Sequence, residues 1–333
     1  MQSPLSPEAL EQYSALSYGA GCVDVSDRTQ VRITGADRVK FLHGFCTNDI
    51  KRLKSGGGCE AFLTSVQGKV LGHVFVFCGD QDLTLETSPG QAEAILGHLE
   101  RYVIREDVQF DILQARVAEW FVAGPRSESV LAGLTGAALP ADMLAHQTGD
   151  LAGVPVSVRR VPLANVPAFL VSCPSERQAE VQRQLDGASV RLVSAEIFDI
   201  VRVEAGFPLY GRDIQADCLP QEVNRDDRAI SFRKGCYLGQ ETVARIDSLG
   251  HVNRKLAGLR WHGSEMLQPG QELTVAGQAV FRVTSAVWSP RAGAVLALGY
   301  LRRGFDAPGT RLETAQGVAE IVDWAAPPSG RGD

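Results

Sequence analysis

The strongest constraint on what this chain can fold into is a change of texture at about Lys255. Before it, helix-period runs alternate with strand-like runs. After it, strands are short and turns frequent: Pro269-Gly270, Ala276-Gly277, Pro290-Arg291-Ala292-Gly293, Pro308-Gly309 and Gln316-Gly317, with no helical run between them. That pattern predicts a small all-β barrel or sandwich. A length of 333 residues also exceeds one ordinary core and predicts about two domains. The expected division is a body over 1–252, a barrel over 253–326 and a loose tail over 327–333.

The body partly repeats itself. A helix over 7–17 has Pro7 in its first turn. Gln30–Thr34 alternates like a half-buried strand, and Gly35 leads into a helix carrying Val39, Phe41, Leu42 and Phe45. Strands over 59–66 and 70–77 flank a hairpin turn at Gln67-Gly68. A strand over 82–87, a helix over 89–104 and strands over 108–113 and 117–122 follow. A helix near 126–134, strands near 154–160 and 168–173 and a helix over 175–185 then restate the order. The repeat predicts two related α+β halves, each a sheet covered by helices. A last apolar-periodic helix over 194–205 ends at Gly206, with Pro208 beyond it.

The stretch richest in chemistry is Lys234-Gly235-Cys236-Tyr237-Leu238-Gly239-Gln240-Glu241. Cations beside a thiol, or a helix N-terminus near it, favour the reactive thiolate. Gly235 and Gly239 would permit positive φ or close approach. Glu241 suits a helix start and stands four residues before Arg245. From spacing alone, a basic loop with a buried structural cysteine reads equally well, because no His base is evident.

Composition narrows the function classes. The net charge of −6 argues against direct nucleic-acid binding. Residues 225–245 are locally basic through Arg225, Arg228, Arg233, Lys234 and Arg245, enough to hold a small anion. The seven cysteines form no Cys-x-x-Cys pair, so no metal site is expected from spacing. There is no apolar run long enough to span a membrane, and the start has neither the basic nor the apolar region of a leader, so a cytoplasmic protein is expected.

The octapeptide resembles the signature of the YgfZ-type folate-binding proteins. These are bacterial relatives of the mitochondrial iron–sulfur assembly factor, within the aminomethyltransferase superfamily. Asp24-Val25-Ser26, Ile33-Thr34-Gly35-Ala36-Asp37 and Phe41-Leu42 through Thr47-Asn48-Asp49-Ile50 resemble the family's N-terminal pattern. Arg202-Val203-Glu204-Ala205-Gly206-Phe207-Pro208-Leu209-Tyr210-Gly211 resembles its central pattern, and Val283-Thr284-Ser285, Ser289-Pro290 and Ala297-Leu298-Gly299-Tyr300 its barrel. The resemblance implies an aminomethyltransferase-like α+β fold of α/β subdomains plus a C-terminal β-barrel. It also implies tetrahydrofolate in a central channel, Cys236 as the functional thiol, and transient support of iron–sulfur client enzymes such as those of tRNA methylthiolation.

One departure separates branches of the superfamily. True aminomethyltransferases carry an aspartate on the strand after the first hairpin turn. Here Gly72 and His73 stand at that position. The resemblance therefore implies no glycine-cleavage activity, with a folate-dependent one-carbon transferase or demethylase as the alternative. It also assigns a pterin-binding acid to Glu204, whose carboxylate could accept two ring N–H groups. Asn48 reads as a turn former or a channel-lining group, and Tyr210 as a stacking or a packing residue. Arg225, Arg228, Arg233 and Arg245 are all candidates for the folate carboxylates, and no single one stands out. Lys234 and Gln240 complete the expected ligand set from the octapeptide. His73, alternating with Val74 and Val76, reads as a satisfied strand residue.

Overall fold

The computed structural model describes residues 4–263 and 265–322; the expected tail over 327–333 lies outside them. In the body, the elements in chain order are α1 (Pro7–Tyr18), β1 (Gly21–Asp24), β2 (Thr29–Thr34), α2 (Arg38–His43), β3 (Gly58–Thr64), β4 (Val70–Cys78), β5 (Leu83–Thr87), α3 (Ala92–Leu99), β6 (Gln109–Ile112) and β7 (Val117–Ala123). They continue with α4 (Ser127–Thr135), β8 (His146–Leu151), β9 (Val154–Arg160), β10 (Ala168–Pro174), α5 (Gln178–Gly187), β11 (Arg191–Leu192), α6 (Ala195–Glu204), α7 (Asp226–Ala229) and α8 (Gln240–Leu249). Six strands follow: β12 (Arg254–Trp261), β13 (Glu272–Val275), β14 (Gln278–Ser289), β15 (Ala294–Arg302), β16 (Arg311–Thr314) and β17 (Gly317–Val322).

Two sheets form the body. One has the order β3-β4-β5-β2-β6, the other β11-β1-β7-β10-β9-β8. Period-two alternation gives each sheet two faces. Val31, Ile33, Ala61, Leu63, Val74 and Val76 form the outer face of the first, under α2 and α3. Trp120, Val122, Val156, Val158, Phe169 and Val171 form the outer face of the second, under α4 and α5. The inner faces meet in a third cluster through Phe75, Phe77, Phe121 and Leu170, which α1 and α6 close.

The repeated element order seen in the sequence thus corresponds to the two sheets, with one exchange. β1 leaves the first half and pairs with β7 and β11 in the second sheet. β1 and β8 were not foreseen: β1 is only four residues long, and β8 (His146–Leu151) is too polar to show a period. Two expected helices are also shorter, the first being α2, which ends at His43 before Phe45. The 89–104 helix is α-helical only over Ala92–Leu99 and ends in a 3-10 turn over Glu100–Tyr102.

The six C-terminal strands run in the order β13-β14-β15-β12-β17-β16. The two ends nearly close, with Ala315 N–H donating to Thr274 O at 3.0 Å. Val287, Leu296 and Leu298 of this barrel pack into the same cluster as Ile197, Ile200 and Val201 of α6. Arg202 of α6, fully buried, pins the joint: it donates to Asp213 Oδ2 at 2.9 Å and to Ser285 Oγ of β14 at 2.9 Å. Asp213 is fully buried too and also accepts from Thr284 and Ser285. No helix among the described residues is long and apolar enough to cross a membrane.

Candidate functional site

Charged residues placed inside otherwise apolar strands create a polar interior between the sheets. Glu60 on β3 and His73 on β4 share the inner face, with Glu60 Oε1 and His73 Nε2 2.7 Å apart. Arg225, just before α7, reaches both oxygens of the same carboxylate, its Nη2 donating to Oε2 at 2.7 Å. Burial works to raise the Glu60 pKa, but the charge of Arg225 and the hydrogen bonds from Arg225 and His73 outweigh it and hold the group at about 2. His73 stacks on Phe207, ring centroids 5.5 Å apart, and the Arg225 guanidinium lies 4.8 Å over the same ring. Arg225 is thus no surface charge; its side chain is 9% exposed.

A second network lies beside the first. Arg28 pairs with Glu86 at 2.7 Å, and Arg159 bridges Glu86 at 2.8 Å and Glu119 at 3.1 Å. Burial, then the neighbouring charge of Glu86, pushes Glu119 up to about 8. The space bounded by Arg28, His73, Phe75, Glu86, Phe207 and Leu209 holds about 10 Å³, room for roughly one water. None of Glu60, Glu86, Glu119 and Arg159 is among the site residues expected from the sequence. The signal was present in the strings Cys-Glu-Ala-Phe-Leu, Leu-Thr-Leu-Glu-Thr and Val-Ala-Glu-Trp-Phe-Val, where an acid occupies the buried phase of a strand.

Glu204, at the end of α6, is 6% exposed. Its carboxylate accepts from Tyr13 O–H at 2.9 and 3.0 Å and from Ser289 Oγ at 2.5 Å. Burial raises its pKa against those hydrogen bonds. Two hydroxyls therefore already occupy the acceptor positions that a pair of ring N–H groups would use. Tyr210 packs, half-buried, against an apolar cluster that includes Phe62, Val70 and Tyr237, its O–H 3.4 Å from Val70 O.

The octapeptide is clamped onto the β3–β4 hairpin. Gly239 has φ +81°, and a Cβ there would stand 2.4 Å from Ser65 O and 2.8 Å from the Cα of Gly68, itself at φ +75°. Two glycines therefore meet where no side chain fits. Thr64 Oγ1 donates to Leu238 O at 2.6 Å, and Leu238 N–H to Gly44 O at 2.9 Å. Gly235 differs: its φ is not positive and a Cβ would meet nothing within 4 Å, so the freedom expected there is not used.

Lys234 corrects another expectation. Its buried ammonium donates to His43 O at 2.5 Å, Cys46 O at 2.6 Å and Asn48 O at 3.0 Å, and lies 4.7 Å over the Tyr237 ring. All three N–H donors are committed to backbone carbonyls, so Lys234 holds the loop together rather than serving the thiol or an anion. Asn48 is a similar bracket, its amide donating to Glu60 O at 2.8 Å and Arg228 O at 2.9 Å. Arg228, Arg233 and Arg245 are exposed, and among the described residues none has an ion-pair partner; Gln240 is half-buried as the first residue of α8. Of the seven free cysteines, only Cys236 is exposed.

The expected residues therefore separate into groups. Asn48, Arg225 and Lys234 converge behind β3, beside the octapeptide. Glu204 lies at the junction of α1, α6 and β14. Among the described residues, no group of three or more His, Cys, Asp or Glu side chains is placed to hold a metal ion.

Two helix-covered sheets facing one another, with a barrel docked at their joint, define an aminomethyltransferase-like fold. The GCVT N-terminal domain matches residues 2–234 and the glycine cleavage T-protein C-terminal barrel domain matches 254–322. The chain therefore belongs to the GCVT, or glycine cleavage T-protein, family. A chloroplastic protein of Arabidopsis thaliana, provisionally named a transferase, is 24% identical over 314 residues, 94% of this chain and 72% of that one. An aminomethyltransferase of Streptomyces avermitilis is 27% identical over 315 residues, 90% and 83% of the two chains. The crystal structure of the glycine cleavage system aminomethyltransferase T from Bartonella henselae superposes with a TM-score of 0.85 at 21% identity, covering 97% of this chain and 90% of that one.

Proposed function

We propose that this protein binds tetrahydrofolate in the cytoplasm and uses the exposed Cys236 thiol to support iron–sulfur client enzymes, including tRNA methylthiotransferases, without transferring an aminomethyl group itself. The observation that carries the reading is the state of the interior carboxylate. No acid stands at positions 72 and 73, and the nearest one on that face, Glu60, is bound by Arg225 and His73 and held at about 2. A carboxylate so stabilised is a poor base near neutral pH. The iron–sulfur client rests on the resemblance of the octapeptide, whose thiol alone among the seven is open to a partner.

The donor chemistry suits a folate. Glu204 presents two carboxylate oxygens to two donors, the match a pterin's adjacent N–H groups require. A pterin would replace the hydroxyls of Tyr13 and Ser289 at Glu204. Arg228, Arg233 and Arg245 remain for the folate carboxylates. The second reading, aminomethyl transfer, draws on the names of the relatives.

One experiment separates the two: titrate the protein with tetrahydrofolate, then follow methylene-tetrahydrofolate in the presence of amine donors. The proposal expects stoichiometric binding, weakened at least tenfold by Glu204→Ala, and no conversion. Repeated turnover supports the transferase reading, and unchanged affinity in Glu204→Ala removes that residue from the site.

A further inference from the structure

Away from the interior, a cavity of about 320 Å³ opens at the seam between the barrel and α7 and α8. That size is at the lower end of small-ligand cavities. Its two walls differ in charge. The barrel side carries Lys255 of β12 and Arg303 just past β15, and among the described residues neither has a hydrogen-bond or ion-pair partner for its side-chain charge. The helical side carries Asp226, Asp247 and Gln221; the barrel side adds one acid, Asp306, whose Oδ1 accepts from Gly304 N–H at 3.1 Å. Gln221 is 4% exposed; its amide N–H donates to Val243 O at 2.7 Å and leaves its Oε1 without a donor. Asp226 Oδ1 likewise has none. Val252 supplies apolar lining between the walls, beside the fully buried Leu301.

A buried acceptor without a donor is unfavourable, and Gln221 and Asp226, which both line this cavity, each carry one. A carboxylate is matched by unpaired cations on the other wall. We infer that this cavity is a binding site for a free α-amino acid: its ammonium donates to Gln221 Oε1 and Asp226 Oδ1, its carboxylate meets Lys255 and Arg303, and its side chain lies against Val252. Burial, the largest influence on Asp226, pushes it up to about 6, which marks a carboxylate short of positive partners despite Lys255 nearby. The site shares α7 and α8 with Arg228 and Arg245, but none of its lining residues is among those assigned above to folate or to Cys236.

The test is a calorimetric titration of the full chain with each of the twenty standard amino acids. For the tightest binder, its decarboxylated amine and its deaminated acid are titrated as well. The inference expects a Kd at or below about 1 mM for at least one amino acid, with at least tenfold weaker binding of both analogues. Asp226→Asn and the double variant Lys255→Met/Arg303→Met are each expected to weaken it tenfold or more and to leave tetrahydrofolate affinity unchanged. No amino acid binding with a Kd at or below about 1 mM, or binding indifferent to both variants, overturns it and leaves a cavity holding water only. A binder that loses affinity only when the folate site is altered overturns it as well.

Discussion

Glu60 and Glu119 are both buried glutamates on the inner faces, and their surroundings drive them in opposite directions. Glu60 gains Arg225 and His73 and is held at about 2; Glu119 shares Arg159 with Glu86 and is pushed up to about 8. Arg225→Met leaves the Glu60 charge uncompensated and is expected to cost about 3–5 kcal/mol in urea unfolding. The double variant Glu60→Gln/Arg225→Met should recover part of that loss, because the two residues are directly coupled. For Glu119 the sign runs the other way. Its folded pKa lies above its unfolded one, so between about pH 4.5 and pH 8 the unfolded chain holds fewer protons and stability falls as pH rises. Glu119→Gln should flatten that slope; equal slopes in variant and wild type, measured by denaturant unfolding at several pH values, would contradict the assignment. Little of this was legible in the sequence. A strand pattern marks which phase is buried, but which acid meets which arginine depends on two sheets packing face to face, and Glu60 and Arg225 are 165 residues apart.

The octapeptide behaves as an element because Gly239 and Lys234 are spent on anchoring. Gly239→Ala should cost more than the roughly 1–2 kcal/mol of left-handed strain alone, since a Cβ also meets Ser65 O and Gly68. Gly235→Ala should be within about 0.5 kcal/mol of wild type, having open space and no positive φ. Protease sensitivity near α8 and thermal unfolding of the two variants check this. At this scale the sequence was informative. The capped start of α1 at Ser6 and Pro7, the β3–β4 hairpin and the period of α6 all lie where local pattern decides structure. The role of Lys234 was not legible, because its acceptors are backbone carbonyls of residues 43, 46 and 48 and leave no trace in side-chain identity.

For the whole molecule, the joint at Arg202 determines whether barrel and body unfold together. The Arg202–Asp213 pair is fully buried, so Arg202→Met should cost about 3–5 kcal/mol and separate one unfolding transition into two in calorimetry. The change of texture at Lys255 announced the barrel, but not that Ser285 and Thr284 would receive α6 and Asp213 across the joint. The central claim is that the exposed thiol is the working group of a folate-binding body. Its most direct measurement is the activity of an iron–sulfur methylthiotransferase in cells whose copy of this protein is replaced by Cys236→Ala. The account predicts loss of that activity while the purified variant keeps its fold and its tetrahydrofolate affinity; full activity in cells carrying the variant would contradict it.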